Sequence, residues 1–404
     1  MLTRRQILLG SVATTGAGAV AAVTGAVAAE EYRKGFAAAE LASQTKLATS
    51  KAAWSGAHQA GVESAPQAHS NFIAFDIKSG ITKGDMLRWM VILTDDISRM
   101  CNGVAALADP TPELVVGSAN LTITVGFGPG VFGKFNLQDQ VPAGFAKLPS
   151  FAIDNLDKKL CDGDVLIHVG ADDLQLLSHI TRNLINDSEY FANLRWLQSG
   201  FTQAVGTVPA GTTQRNLMGQ VDGTDNPEIG SDDFANRVWM SEGPEWAIGG
   251  TQLVLRRIKM NLNTWNMLGR TDKEEVIGRH LDTGAPLGKE NERDAIDFDA
   301  KRSDGLQVIP PFAHIRRASA QNRDEIFFRR PFNYQVLDAQ ANELESGLLW
   351  TAYAKDISKQ YLPVQERLAK FDLLNKWTTP VGSSVFVIAG GFKPGEVLAE
   401  KLFR

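Results

Sequence analysis

Two stretches of this 404-residue chain carry the same succession of patterned segments, and that parallel constrains the fold more than any single motif. In the first, Asn71-Phe72-Ile73-Ala74-Phe75-Asp76-Ile77 alternates as a strand does. Thr82-Lys83-Gly84-Asp85 then opens a helical pattern, with Met86, Trp89, Met90, Leu93, Ile97 and Met100 recurring at three- and four-residue steps. Leu121–Gly126 and Val165–Val169 read as strands. Ala171-Asp172-Asp173 caps a helix carrying Leu174, Leu177, Ile180, Leu184 and Ile185, and a strand is expected near Phe201–Val205. The second stretch repeats the plan: strand Thr251–Ile258, helix Asp272–Gly278, strands Ile326–Phe328 and Leu348–Ala354, a long amphipathic helix Asp356–Leu373 and a closing strand Val385–Ala389. Two β-α-β-β-α-β runs predict an α+β fold of two ferredoxin-like halves, antiparallel sheets with helices packed on them. No close sequence repeat accompanies the parallel, so the expectation rests on element order. The expected divisions are a lead-in over 30–68, a first domain over 69–210 and a second over 211–404.

A chain of this length accommodates two domains. Its net charge of −5 and lack of any Lys/Arg cluster beyond pairs such as Arg256-Arg257 argue against nucleic acid as a partner. Two cysteines, Cys101 and Cys161, allow at most one disulfide, and no Cys/His spacing suits zinc. Two buried, unpaired thiols are the plainer expectation. At the N-terminus, Thr3-Arg4-Arg5-Gln6-Ile7-Leu8-Leu9 matches a twin-arginine signal. An uncharged Gly/Ala/Thr-rich stretch follows and ends in Ala26-Val27-Ala28, an A-x-A-like cleavage site. The stretch is long enough to span a membrane. Its weak apolarity favours a cleaved signal over 1–29, with export in the folded state to a periplasmic or extracellular destination and no stable membrane anchor.

Several motifs bear on chemistry. Gly126-Phe127-Gly128-Pro129-Gly130 resembles a phosphate loop only superficially: Pro129 removes a donor, no helix signal follows directly, and no Lys-Ser/Thr ends it. It reads as a bend at a strand end. Of six histidines no two stand three or four apart, so no helical metal pair exists. His314 is set apart by its context, Ile309-Pro310-Pro311 before it and Arg316-Arg317 after it; one imidazole suffices to hold a haem iron on one side. Asp222 lies in Gly219-Gln220-Val221-Asp222-Gly223, which is turn chemistry, or the start of a calcium loop with Asp225 and Asn226 whose remainder is missing. Arg329 falls among Phe327, Phe328 and Phe332, where a cation calls for an anionic partner. The charged, Gly- and Pro-containing segment Gly269–Gly305 is too long for a simple connector and suggests a functional loop or lid.

Taken in order, Gly-x-x-Asp-Gly, Val276-Ile277-Gly278-Arg279 with Gly284-Ala285-Pro286-Leu287, Ala313-His314-Ile315-Arg316-Arg317 and Arg329-Arg330-Pro331-Phe332-Asn333-Tyr334 resemble the dye-decolourising (DyP-type) haem peroxidases. The likeness runs from about Phe72 to Phe403 and is strongest to the exported branch that includes bacterial deferrochelatase/peroxidases. It implies a dimeric α+β barrel-like fold and one haem b per chain, with His314 as the axial iron ligand. It implies Asp222 as distal acid/base, Arg329 over the distal face, and Gly223 and Thr224 as backbone positions beside the haem. Arg330 is the neighbour with which Arg329 would exchange roles if the register slipped by one residue. The implied partners are hydrogen peroxide, small organic reductants such as dyes and phenols, and the twin-arginine export machinery; a homodimer is compatible with the reading. Release of iron from haem and non-enzymatic haem carriage are the alternatives. A carboxylate is expected on the second ring nitrogen of His314, with Asp297 and Asp299 as candidates, and Trp239, Trp377 and Tyr334 are candidates for electron relay. Ser319 and Ala320 stand where the family often has Asn and Pro.

Overall fold

The computed structural model describes residues 50–404 apart from 205, 210 and 339–341. The expected export signal and the first part of the lead-in lie outside the described residues. The strands are β1 (His69–Ile77), β2 (Thr122–Phe127), β3 (Val165–Ala171), β4 (Ala192–Phe201), β5 (Thr251–Met260), β6 (Phe328–Arg329), β7 (Phe332–Asp338), β8 (Glu343–Ala354) and β9 (Thr378–Ile388). They form one sheet in the order β5-β9-β2-β3-β1-β4-β7-β8-β6. Because β5 pairs again with β8, the sheet closes on itself as an antiparallel barrel, and the fold is α+β. Closure is uneven. Within each half the ladders are long, whereas β2 meets β9 through two residue pairs and β4 meets β7 through the single pair Phe201–Asn333.

Period-two alternation divides the apolar side chains between two cores. Phe72, Ala74, Leu253, Leu255, Phe386 and Ile388 share one buried cluster, while their neighbours Ile73, Phe75, Val254, Val385 and Val387 belong to another, packed under the helices. Helix α1 (Lys83–Met100) starts with a capping box. Thr82 Oγ1 accepts from the Asp85 amide at 3.1 Å and Asp85 Oδ2 accepts from the Thr82 amide at 2.9 Å. Its predicted stripe is buried as expected, and Trp89 stacks on Phe191 with ring centroids 5.5 Å apart. Helix α2 (Leu174–Ser188) is capped by Asp173, which accepts from the Leu176 amide at 2.6 Å.

The elements differ from the sequence expectation at definite places. The strand expected near Phe201–Val205 instead runs over Ala192–Phe201, whose exposed positions Asn193, Leu194, Leu197 and Ser199 hide its pattern in the sequence. The helix expected over Asp356–Leu373 breaks at Tyr361 into Ile357–Gln360 and α4 (Leu362–Phe371). Pro363 has no N–H to carry the ladder through. The strand expected at Ile326–Phe328 is Phe328–Arg329, and β7 was not anticipated. The two are one strand interrupted at Arg330-Pro331, pairing successively along β8. A helix, Pro129–Lys134, does follow the Gly-rich bend, with its proline in the first turn, where no donor is needed. Cys101 and Cys161 are both free and buried, and burial pushes the Cys101 thiol up to about 12.

A carboxyl pair joins the two long helices. Asp96 of α1 hydrogen-bonds Asp187 of α2 and is pushed up to about 7, first by burial, then by the charges of Asp187 and Asp95, with Arg99 opposing. Asp187 is raised too, by its own burial and by Asp109, which pairs with His179 at 2.8 Å. The folded protein therefore holds the Asp96 proton more tightly than an unfolded chain, where an aspartate titrates at about 3.9. The associated stability is complete below that value and is lost as pH rises toward 7. The loss is on the order of 2–4 kcal/mol. An Asp96→Asn variant is expected to match the parent's thermal midpoint at pH 4 and to exceed it at pH 8. A midpoint difference that is the same at both pH values in calorimetry would refute this.

Candidate active site

The residues singled out by the sequence converge on one cleft. It is a cavity of about 220 Å³ that opens to solvent. Apolar side chains dominate its walls, among them Ile258, Ile277, Phe327, Leu348, Trp350 and Leu368. Asp222, Gly223, Thr224, His314 and Arg329 all line it.

Asp222 follows a tight bridge between Arg215 and Val221, and its amide donates to Gln214 O at 2.9 Å. Gly223 turns the chain with φ +131°, a conformation that a side chain would strain. Thr224 Oγ1 donates to Glu292 at 2.8 Å, and Thr213 Oγ1 donates to the same carboxylate oxygen at 2.7 Å. Glu292 thus brings the Gly269–Gly305 segment against the Asp222 turn. The same segment places Arg279 and Ile296 on the cleft wall, which gives it the site role its length suggested. Asn226, the last member of the calcium-loop reading, spends its amide on the backbone of Arg329.

Arg329 and Arg330 point to different environments. Arg329 Nη1 lies 3.6 Å from Asp222 Oδ1, beyond hydrogen-bond range, so both groups keep bonding capacity free for a third. Arg330 is buried and lines no part of the cleft. Its guanidinium donates to the carbonyls of Val62 (3.2 Å), Ser64 and Ala65 (3.1 Å) and to Gln67 Oε1 (2.8 Å). Among the described residues no carboxylate pairs with it, and burial pulls its pKa down to about 10.

His314 opens the short helix α3 (His314–Ala318), with Phe312 and Ala313 between it and Pro310-Pro311. Its Nδ1 is 2.6 Å from Asp372 Oδ2, which fixes the proton on Nδ1 and leaves Nε2 as the unengaged nitrogen. The ring is partly buried, with 29% of its side-chain surface exposed, and it lines the cleft. Burial disfavours its charged form, but the charge and hydrogen bond of Asp372, with Asp222 farther off, outweigh that and raise its pKa. Asp372 corrects the sequence expectation for this partner. Asp297 instead caps its own turn through the amides of Asp299 and Ala300, and the charge of Asp299 acts on Arg316. Asp372 closes α4, and its other oxygen accepts from the Leu374 amide at 2.9 Å, so the carboxylate is held in place. No spacing rule links it to a histidine 58 residues earlier.

The relay candidates sit in packing. Tyr334 is fully buried and donates to Glu345 at 3.0 Å, Trp239 stacks on His58 at 3.9 Å, and Trp377 packs edge-on against Trp265 at 5.4 Å. Trp350, which sequence reasoning passed over, is a tryptophan on the cleft wall. Ser319 and Ala320 line the cleft too, as small residues.

A closed α+β barrel with an imidazole, a carboxylate and a guanidinium in one apolar cleft defines the class: an enzyme equipped to move protons at a bound reactant. The chain belongs to the Dyp-type peroxidase family, matching its N-terminal description over residues 59–202 and its C-terminal description, which holds all three groups, over 213–393. Among curated relatives, the deferrochelatase of Yersinia pestis is 32% identical over 368 residues, covering 86% of this chain and 84% of that one. The deferrochelatase of Escherichia coli (strain K12) is 32% identical over 357 residues, covering 84% of each. Among solved structures, a DyP-type peroxidase from Cellulomonas bogoriensis superposes with a TM-score of 0.86 at 42% identity, covering 89% of this chain and 99% of that one. Ferric DtpA from Streptomyces lividans gives 0.85 at 34% identity, covering 89% and 98%.

Proposed function

We propose that this chain is a haem-dependent peroxidase that reduces hydrogen peroxide and oxidises organic substrates such as dyes and phenols. The observation that carries the reading is the meeting of His314, Asp222 and Arg329 in one cleft. The donor set fits haem b: a single imidazole with Nε2 unengaged and Nδ1 fixed by a carboxylate, among apolar walls suited to a macrocycle. When bound, haem supplies the two electrons that reduce peroxide and recovers them from the organic substrate. His314 holds the iron, and Asp372 keeps its ring oriented and electron-rich. Asp222 takes the proton from one peroxide oxygen and delivers it to the other, so that water leaves. Arg329 stabilises the negative charge that grows as the O–O bond breaks. Gly223 and Thr224 line the cleft and would place their backbone beside the cofactor. The test is the absorbance spectrum of the purified protein before and after peroxide. A Soret band that shifts on mixing and returns as a dye bleaches is expected, and a haem-free or unresponsive protein would overturn the reading.

A second reading, removal of iron from haem with the macrocycle intact, is favoured by the printed names of the relatives. Recovery of intact protoporphyrin from haem would support it. A simple haem carrier has no use for the Asp222/Arg329 pair, which favours an enzyme.

We also read each half of the barrel as ferredoxin-like, over 69–210 and 211–404. The strand orders β4-β1-β3-β2 and β9-β5-β8-β7 support this: in both halves the first and third strands are central. Residues 1–29 are proposed as a cleaved twin-arginine signal that sends the folded protein to the periplasm or outside, on the motif alone. Homodimerisation belongs to the same proposal.

A further inference from the structure

We infer that Asn226 is a positioning residue that sets the separation between Asp222 and Arg329; the inference rests on the peroxidase reading. Arg329 lies in a strand of two residues, β6, whose partner β8 bonds the residues on either side of it. The Arg330 amide donates to Thr351 O at 3.1 Å, and Thr351 Oγ1 donates to Arg330 O at 2.5 Å. The amide and carbonyl of Arg329 itself point the other way. Asn226 meets both: its Oδ1 accepts from the Arg329 amide at 3.0 Å and its Nδ2 donates to Arg329 O at 2.7 Å. One side chain therefore does the work of a missing neighbouring strand.

The other end of this strut is anchored in the Asp222 turn. The Asn226 amide donates to Gly223 O at 3.1 Å, so Asn226 and Asp222 belong to one hydrogen-bonded bend. A path of five residues, Asp222 to Asn226, and two side-chain bonds thus joins the carboxylate to the backbone of Arg329. At 3.6 Å the pair is close enough to attract and too far apart to bond. An Arg and an Asp free to approach would close that gap and satisfy each other. The strut holds them apart and leaves their donors and acceptors for a small molecule between them. Asn226 does not line the cleft, so it acts through its neighbours and touches no reactant.

The experiment compares the parent with Asn226→Ala and with a control, Gln360→Ala. Gln360 also bonds two backbone carbonyls, of Arg237 at 3.0 Å and Ile326 at 2.5 Å, next to β6 but away from Arg329. Three quantities are read: the rate with peroxide by stopped flow, its pH profile, and the Asp222–Arg329 separation in crystals of the haem-free proteins. Expected for Asn226→Ala are a roughly 10- to 100-fold slower peroxide step, as for a reacting group displaced by about an ångström, a shifted pH profile and a changed separation. The control should keep the parent values. An unchanged rate and profile in Asn226→Ala, an equal loss in the control, or a retained separation would each overturn the inference. If Asn226→Ala does not fold, Asn226→Ser, whose hydroxyl keeps at most one of the two bonds, is judged by the same criteria. A parent that does not react with peroxide would instead sink the peroxidase reading, and the haem-free crystals would still decide the positioning role.

Discussion

An Asp222→Asn variant is expected to bind haem as the parent does and to react with peroxide some 10²- to 10⁴-fold more slowly, the usual share of a positioned acid/base. The amide preserves the shape of the side chain and its place on the Gly223 turn, but has no lone pair basic enough to take a proton from peroxide. The cost should fall on the peroxide step and leave the apparent affinity for the organic substrate near the parent value. Stopped-flow absorbance at the Soret band checks this directly. An undiminished rate would remove Asp222 from the mechanism and transfer the proton task to another group or to water, with Arg329 as the only distal residue that matters. Because Asp222 and Arg329 do not bond each other, the substitution leaves no buried cation stripped of a hydrogen-bond partner. A loss of rate would therefore report on chemistry and not on a collapsed site.

His314→Ala should have the second large effect. No other histidine lines the cleft, so the variant has no imidazole with which to replace the lost ligand. Haem affinity is expected to fall by more than the roughly 10- to 100-fold that outer-shell changes cost metal sites. Residual haem should show a displaced Soret band. Asp372→Asn supplies the comparison: it keeps the ligand but weakens the hold on Nδ1, so its loss should stay within that smaller range. Titration of each protein with haem, followed by absorbance, separates the two. Full binding with an unaltered spectrum in His314→Ala would refute the ligand assignment.

Much of the site was legible in the sequence because its groups sit in short local motifs. Asp222 is flagged by the glycine that must follow it in a strained turn, and His314 by the prolines that fix its approach. Their convergence was not legible from residue chemistry; it came from the order of four motifs shared with a family. What escaped was what depends on contact at a distance. Asp372 belongs to a helix end, where an aspartate is ordinary capping chemistry, and only the packing of α4 against α3 brings it to His314. Asn226 entered only as part of an incomplete calcium-loop pattern, because nothing local shows that its amide reaches a strand 103 residues away. Among the elements, helices with a clear apolar stripe were found, whereas β4 and β7 were misplaced or missed. Their outward faces carry exposed Leu194, Leu197, Val336 and Leu337, which break the alternation that marks a strand.

The Arg330 guanidinium gives the stretch before the first strand a status that its bland composition conceals. Four of its acceptors lie between Val62 and Gln67, and the adjoining residue, Arg329, lines the cleft. In mechanical terms, this strap is a brace bolted to the back of the active-site strand. A chain trimmed to begin at His69 would keep every catalytic side chain and every strand of the barrel. It would also leave a buried cation facing nothing, one residue from Arg329. The smallest working unit of this enzyme therefore begins upstream of its first regular element.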